Sequence, residues 1–204
     1  MDLEYLQKEV EKQTRQAEER RRQVERLLNQ LMNALAETID AKDSYTNGHS
    51  LRVAQYAKEI AKRTGKTAEE QERIYYIAML HDIGIFMTDA PRIYCFGNEQ
   101  YLCHGYLGGQ LLRQLGYDRH ARVCERHTGT GLTKEVIEQN GWNLPVKDFV
   151  PETLEEQLIC FADKFFSKTK YLHEPRTMEQ VVESMRKISD ESAEKVVKWA
   201  AMFM

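Results

Sequence analysis

The sequence predicts an all-α protein in which a helical bundle follows one long N-terminal helix. Apolar residues recur at helical spacing along most of the chain, and several segments begin with a capping residue and end at glycine. No segment shows the convincing period-two alternation that is typical of a strand. We predict two parts: a coiled-coil or signalling helix over residues 1–34 and a helical domain over residues 35–204.

The N-terminal helix is predicted over residues 1–36, because an apolar seam follows the a and d spacing of a coiled coil. The seam comprises Leu3, Leu6, Val10, Gln13, Ala17, Arg20, Val24, Leu27, Leu31 and Ala34. Gln13 and Arg20 weaken it in the middle, and the flanks are rich in Glu, Lys and Arg. The pattern favours a homodimer through this helix. A single exposed helix, or one that folds back on its own domain, is the alternative.

The next two helices are predicted from their start and stop signals. A helix over residues 49–63 presents several small and branched apolar residues on one face and ends at Gly65. Thr67 and Glu70 form a capping box at the start of the following helix, which is predicted to run to about Ile83. These boundaries place His49 at the start of the first helix and His81 and Asp82 near the end of the second.

Residues 85–102 contain Pro91 and Gly97 and are predicted to be a loop. Later helices have the same kinds of boundary, and they are predicted over residues 103–115, 118–127, 133–139 and 153–171, with two more within residues 177–203. Thr153 and Glu156 form a second capping box. The predicted elements are therefore all helices, and residues 85–102 are the one long interruption between them.

The composition excludes several classes of function. The chain has 204 residues, of which 42% are hydrophobic, enough for a core, and its net charge of −3 offers no basic excess for a nucleic-acid polymer. No apolar run of about 18 residues or more predicts a membrane span, and the charged N-terminus does not resemble a signal peptide. A cytoplasmic location is expected. The four cysteines form no CxxC pair and are expected to be free thiols.

Six residues carry the chemistry. Four histidines lie at predicted helix ends or turns, beside glycine or aspartate: His49, His81, His104 and His127. Consecutive helical residues point about 100° apart, so His81 and Asp82 can share a metal only beyond the helix end, where Asp82 can also bridge to a second ion. Asp163 lies in the apolar segment LICFADKFF, where burial favours a metal or a salt bridge. Imidazole with carboxylate suits Fe, Mn, Zn or Ni.

The same residues resemble the defining set of the HD superfamily of metal-dependent phosphohydrolases. GHSLRVAQYAKEIA, AMLHDIG and a distant AD supply its H…HD…D pattern, and HGYLGGQLL and ERHTGTG match the extra histidines of its dinuclear members. The resemblance covers about residues 35–170. It implies two divalent transition-metal ions (Fe, Mn, Zn or Ni). The first would be held by His49, His81, Asp82 and Asp163, and the second by bridging Asp82, His104 and His127.

Within the superfamily, the two halves are similar to different relatives. Residues 31–84 resemble HD-GYP domains, the cyclic di-GMP phosphodiesterases, and residues 85–171 resemble small stand-alone HDIG-type hydrolases. Ile85 stands where the HD-GYP lysine would follow HDIG, and HTGTGL replaces the HHE…GYP segment, which argues against cyclic di-GMP as substrate. Tyr45 stands where some relatives carry the glutamate of a third metal, so a dinuclear site is expected.

The resemblance implies a phosphomonoesterase or phosphodiesterase that uses a metal-activated hydroxide on a nucleotide or small phosphorylated metabolite. Asp82 and Lys164 are the predicted catalytic residues, and Arg126 and Lys168 the predicted substrate contacts; ordinary ion pairs are the alternative for these cations. Residues 85–102 could form a lid or a base-stacking wall, or simply pack as a loop. Two other functions remain open: a dimeric signalling module with a vestigial metal site, and an HD-fold di-iron oxygenase.

Overall fold

The structure, a computed structural model, describes residues 3–40, 48–168 and 174–204, so Tyr45 lies outside the described residues. These ranges contain nine α-helices and one small three-stranded sheet, which confirms the predicted all-α class. None of the described helices combines the length and the apolar character that crossing a membrane requires. The chain divides into two compact units, Met1–Leu35 and Ala36–Met204. The functional division at residues 34 and 35 stays a prediction.

The long N-terminal helix, α1, runs over Leu3–Asp40. Its exterior carries ion pairs one turn apart, such as Lys8 with Glu4 at 2.8 Å. Four apolar residues of the predicted seam are each more than half exposed: Leu3, Val10, Val24 and Leu27. The helix itself is confirmed, whereas its pairing with a second copy stays a prediction.

The second unit contains eight further helices within its described residues. They are α2 (His49–Arg63), α3 (Ala68–Met79), α4 (His104–Gln114), α5 (Asp118–Arg126), α6 (Lys134–Asn140), α7 (Leu154–Asp163), α8 (Met178–Arg186) and α9 (Asp190–Phe203). Both predicted capping boxes are formed, at Thr67 and at Thr153. Helix α2 packs against α3 and α7, and the core between them includes Ile60, Ile77 and Phe161, which are almost fully buried.

Two helices end earlier than predicted. Helix α3 ends at Met79 and α7 at Asp163, where helices to about residues 83 and 171 were predicted. Beyond both ends the amides bond three residues back, His81 N–H to the carbonyl of Ala78 and Phe166 N–H to that of Asp163, so each helix tightens into a 3-10 turn. The change of direction places the aspartates of both segments at helix ends.

Residues 85–102 are not a loop, which corrects the prediction. They contain 3-10 turns and three short strands, β1 (Thr88–Ala90), β2 (Cys95–Phe96) and β3 (Glu99–Gln100), in the order β2–β1–β3. Strand β1 is antiparallel to β2 and parallel to β3. Ile85, Ile93 and Cys95 form a small buried cluster of their own. The segment is therefore ordered and packs beside α4.

Gly84 lets the chain after Asp82 contact α4 through its backbone. A Cβ atom at Gly84 would lie 2.1 Å from the carbonyl oxygen of His104 and 2.4 Å from the nitrogen of Gly108. Because Gly84 and Gly108 both lack a Cβ atom, their backbones approach each other more closely than any other residue would allow. This contact sets the position of His104, the first residue of α4, relative to Asp82.

Candidate metal centre

The six predicted ligands meet at one buried point, with Asp82 at its centre. Asp82 Oδ2 lies 3.4 Å from Nε2 of His49 and 3.4 Å from Nε2 of His81. Its other oxygen, Oδ1, lies 3.2 Å from Nε2 of His127 and 3.4 Å from Nε2 of His104. Each of these five side chains is almost fully buried. Asp82 therefore lies between two pairs of imidazoles and presents one oxygen to each.

Asp163 completes the first of these two groups. Its Oδ1 lies 3.2 Å from Nε2 of His49 and 3.4 Å from Nε2 of His81. In the second group, Nε2 of His104 and Nε2 of His127 are 3.0 Å apart. We call the first group half-site one (His49, His81, Asp163 and Asp82 Oδ2) and the second half-site two (His104, His127 and Asp82 Oδ1).

Three of the histidines are oriented in the same way. Nδ1 of His81, His104 and His127 lies 2.7, 2.6 and 2.8 Å from the backbone carbonyl three residues earlier in the chain. A carbonyl only accepts, so Nδ1 carries the proton, and in the neutral ring Nε2 presents its lone pair to the site. These three backbone carbonyls thus orient the rings and turn each Nε2 toward the site.

Burial and nearby charges set the protonation of these groups. Burial lowers the pKa of His104 to about 3 and also lowers the pKa of His127, so both rings are neutral. Burial lowers the pKa of His81 too, but the carboxylates of Asp82 and Asp163 outweigh it and leave that pKa above its ordinary value.

The two carboxyl groups are ionised. Burial alone would raise the pKa of Asp82 and of Asp163, but Lys168 beside the first and Lys164 beside the second hold both pKa values well below their ordinary range. Both acids are therefore in the form that binds a cation.

Unsatisfied buried atoms show that metal ions fit here. Within the described residues, Nε2 of His49, Nε2 of His81 and Oδ1 of Asp82 make no well-aligned hydrogen bond, whereas Oδ2 of Asp82 is paired with the ammonium of Lys168 at 2.7 Å. Each buried polar atom without a partner costs about 1–3 kcal/mol. Imidazole nitrogen and carboxylate oxygen are the donors that Fe, Mn, Zn and Ni accept together. The His and Asp side chains of both half-sites are therefore suited to hold divalent metal.

Lys164 and Lys168 reach this centre from the segment after α7. Lys164 is buried, and its Nζ lies 2.7 Å from Asp163 Oδ2 and donates to the carbonyl of His127 at 2.9 Å. It therefore turns Asp163 Oδ1 toward the histidines. Nζ of Lys168 lies 2.7 Å from Asp82 Oδ2 and donates to the hydroxyl of Tyr101 at 3.2 Å.

Arg126 is not brought to the centre, which corrects its predicted contact with the substrate. Its guanidinium lies 3.6 Å from Glu152 and 3.8 Å from Glu156, near the start of α7. Although Arg126 precedes His127 in sequence, neighbouring residues of a helix point about 100° apart. The two side chains therefore leave the end of α5 in different directions.

A cavity of about 570 Å³ opens beside half-site one, within the usual range for small-molecule sites. Its wall combines cations, carboxylates, aromatic rings and small apolar residues: His49, Asp89, Ala90, Pro91, Arg92, Ile93, Tyr101, Asp163, Lys164, Phe166, Ser167, Lys168 and Arg176. Asp89 and Arg176 could not be selected from sequence, because neither belongs to a motif. Residues 89–93 and Tyr101, which belong to the ordered segment 85–102, thus contribute directly to the cavity.

Residues 46–167 match the family model of the HD domain. Over 126 residues the chain is 39% identical to an uncharacterized protein of Methanocaldococcus jannaschii, covering 60% of this chain and 66% of that protein. Over 156 residues it is 32% identical to a tRNA (cytidine(56)-2'-O)-methyltransferase of Thermoplasma volcanium, covering 76% of this chain and 40% of that protein. The chain spans less than two thirds of each of these relatives.

Two further likenesses concern phosphodiesterases. Over 72 residues the chain is 36% identical to the 3'3'-cGAMP-specific phosphodiesterase 1 of Vibrio cholerae, covering 34% of this chain and 17% of that protein. The fold is similar to that of the HD domain of the L. monocytogenes phosphodiesterase PgpH, with a TM-score of 0.50 and 18% identity over 81% of this chain and 94% of that chain. At this identity the structural likeness shows the fold.

Proposed function

Because the chain belongs to the HD-domain family, we propose that it is a metal-dependent phosphohydrolase acting on a nucleotide or small phosphorylated metabolite. The observation that carries the proposal is Asp82, a buried carboxylate whose two oxygens each lie 3.2–3.4 Å from Nε2 atoms of a different pair of histidines. The Vibrio relative named as a phosphodiesterase supports the same class of reaction. The named activity of the methyltransferase is not carried over, because the family model that matches residues 46–167 is that of the HD domain.

Each residue of the centre has a definite part in this proposal. When bound, two divalent ions would polarise phosphate oxygens and make water a nucleophile near neutral pH. Asp82 would hold both ions, with His49, His81 and Asp163 on one side and His104 and His127 on the other. Lys164 positions the Asp163 carboxylate. Lys168 lines the cavity and can donate to a phosphate oxygen of the substrate.

Metal content and turnover test the proposal together. Protein loaded with Mn, Ni, Fe or Zn is expected to hold two ions per chain by elemental analysis and to hydrolyse p-nitrophenyl phosphate or its bis ester without oxygen. Turnover that requires both iron and dioxygen would instead favour the di-iron oxygenase. Two bound ions without turnover of any phosphate ester in a broad metabolite screen would favour the signalling module with a vestigial site.

We also propose that α1 pairs with a second copy of the chain. The apolar seam of α1 is exposed at Leu3, Val10, Val24 and Leu27, and pairing would bury these side chains. Val10→Glu combined with Val24→Glu places two charges in the seam and is expected to convert a dimer to a monomer, as measured by sedimentation at micromolar concentration.

The matched control for this change is Arg15→Glu, on the face of α1 opposite the seam. It alters the net charge by the same two units, because a positive charge becomes a negative one. The control should remain dimeric, and metal content should be unchanged in both variants. A seam variant with the sedimentation mass of the wild type would contradict the coiled-coil interpretation.

A further inference from the structure

We propose that the substrate carries a second phosphate group, remote from the ester that is hydrolysed, and that Arg92 and Arg176 bind it. The inference rests on the proposed function, because it identifies the substrate class of the same cavity. Its basis is the contrast between the cations beside the metal centre, which already have partners, and the two guanidiniums elsewhere on the cavity wall.

The cations beside the centre are paired within the protein. Nζ of Lys164 lies 2.7 Å from Asp163, and Nζ of Lys168 lies 2.7 Å from Asp82. Arginines elsewhere in the same unit are paired as well, for example Arg122 with Glu156 at 2.7 Å. Charge pairing is thus the ordinary condition for the basic residues around this core.

Arg92 and Arg176 differ. Neither side chain forms an ion pair or hydrogen bond with any group in residues 3–40, 48–168 and 174–204, yet both line the cavity. Asp89 is the one carboxylate that the described wall adds outside the metal centre. The two guanidiniums carry more charge than this one carboxylate. A guanidinium also matches the geometry of phosphate oxygens, to which it donates two parallel hydrogen bonds.

Both arginines have an anchored backbone. Arg176 N–H donates to the carbonyl of Phe165 at 2.8 Å, which ties it to the segment that carries Lys164 and Lys168. Arg92 lies between Pro91 and Ile93 in a 3-10 turn. Ile93 is buried in the small cluster that it forms with Ile85 and Cys95. Binding groups on an anchored scaffold lose less entropy when a ligand arrives.

The other residues of the cavity wall suit the carbon skeleton that joins the two phosphate groups of such a substrate. Pro91, Ile93 and Phe166 add apolar surface to the wall of the same cavity, and its volume of about 570 Å³ can enclose a small sugar bisphosphate. A monophosphate would engage the centre and Lys168 but leave both guanidiniums without an anion. The substrate class is therefore a bisphosphorylated small molecule.

Two ribose phosphates test this inference in the full-length, metal-loaded protein. The wild type is expected to hydrolyse ribose 1,5-bisphosphate with a kcat/KM at least about tenfold above that for ribose 5-phosphate, since charge-assisted hydrogen bonds are strong. Arg92→Gln combined with Arg176→Gln should reduce this ratio to within about twofold by raising the KM for the bisphosphate alone. Arg186→Gln is the matched control and should keep the ratio, because this side chain of α8 is 65% exposed and does not line the cavity.

A binding measurement separates this inference from the proposed hydrolysis. Calorimetric titration of the metal-free protein with ribose 1,5-bisphosphate should give a Kd about tenfold lower in the wild type than in the double variant. If no ester is hydrolysed but this difference is found, the proposed function fails and the second phosphate site stands. If the double variant binds and hydrolyses both ribose phosphates like the wild type, or loses both equally, the inference is overturned.

Discussion

Replacing Asp82 by alanine is expected to remove metal from both half-sites and to lower phosphate ester hydrolysis about 10²–10³-fold. Asp82 presents Oδ2 to His49 and His81 and Oδ1 to His104 and His127, at 3.2–3.4 Å. Without bound metal, water is not activated and the phosphate oxygens are not polarised, and the expected loss of rate corresponds to about 3–4 kcal/mol of transition-state stabilisation. Metal content by elemental analysis and turnover by phosphate release are measured on the same preparation.

Two further variants make this result specific. Asp82→Asn keeps the volume of the side chain and removes the charge, so it should also lose metal while circular dichroism shows a folded chain. Asp89→Ala removes a carboxylate of the same cavity that lies outside the two half-sites, and it should retain two ions per chain. Wild-type metal content in Asp82→Ala would show that the bridging role assigned to Asp82 is wrong.

The members of the site were predictable from sequence, whereas their arrangement was not. The spacing of His49, His81-Asp82 and Asp163, with the two later histidines, suffices to select all six residues. What brings them together is the early ends of α3 and α7, where 3-10 bonds replace helical ones. Apolar residues continue beyond both ends, so the periodicity predicts longer helices.

Other features left too weak a signal in the sequence. Strands of two or three residues, such as β2, are too short for period-two alternation to be recognised. Adjacency in sequence suggested that Arg126 reaches the substrate, yet its guanidinium lies near Glu152 and Glu156. Lys164 lines the cavity and is bound to Asp163 and the carbonyl of His127, so its catalytic role stays a prediction. Arg176 reaches the cavity only because the chain returns past Phe165.

Gly84→Ala is expected to lower the free energy of unfolding by about 2–4 kcal/mol, which is roughly 4–16 °C in Tm for a chain of this size. The added Cβ would meet the carbonyl oxygen of His104 at 2.1 Å and the nitrogen of Gly108 at 2.4 Å. Both atoms are backbone of α4, so no side-chain rotation relieves the overlap, and the helix itself must move.

The same movement links stability to the metal centre. Because His104 is the first residue of α4, a shift of this helix lengthens the 3.4 Å approach of His104 to Asp82 and weakens half-site two before half-site one. Gly84→Ala should therefore bind its second ion more weakly in a metal titration. Gly116→Ala is the control: its φ of +82° costs about 1–2 kcal/mol for a residue with a Cβ, but it has open space and should load both ions normally. Equal losses of metal in both glycine variants would point to general destabilisation and would refute the proposed coupling through α4.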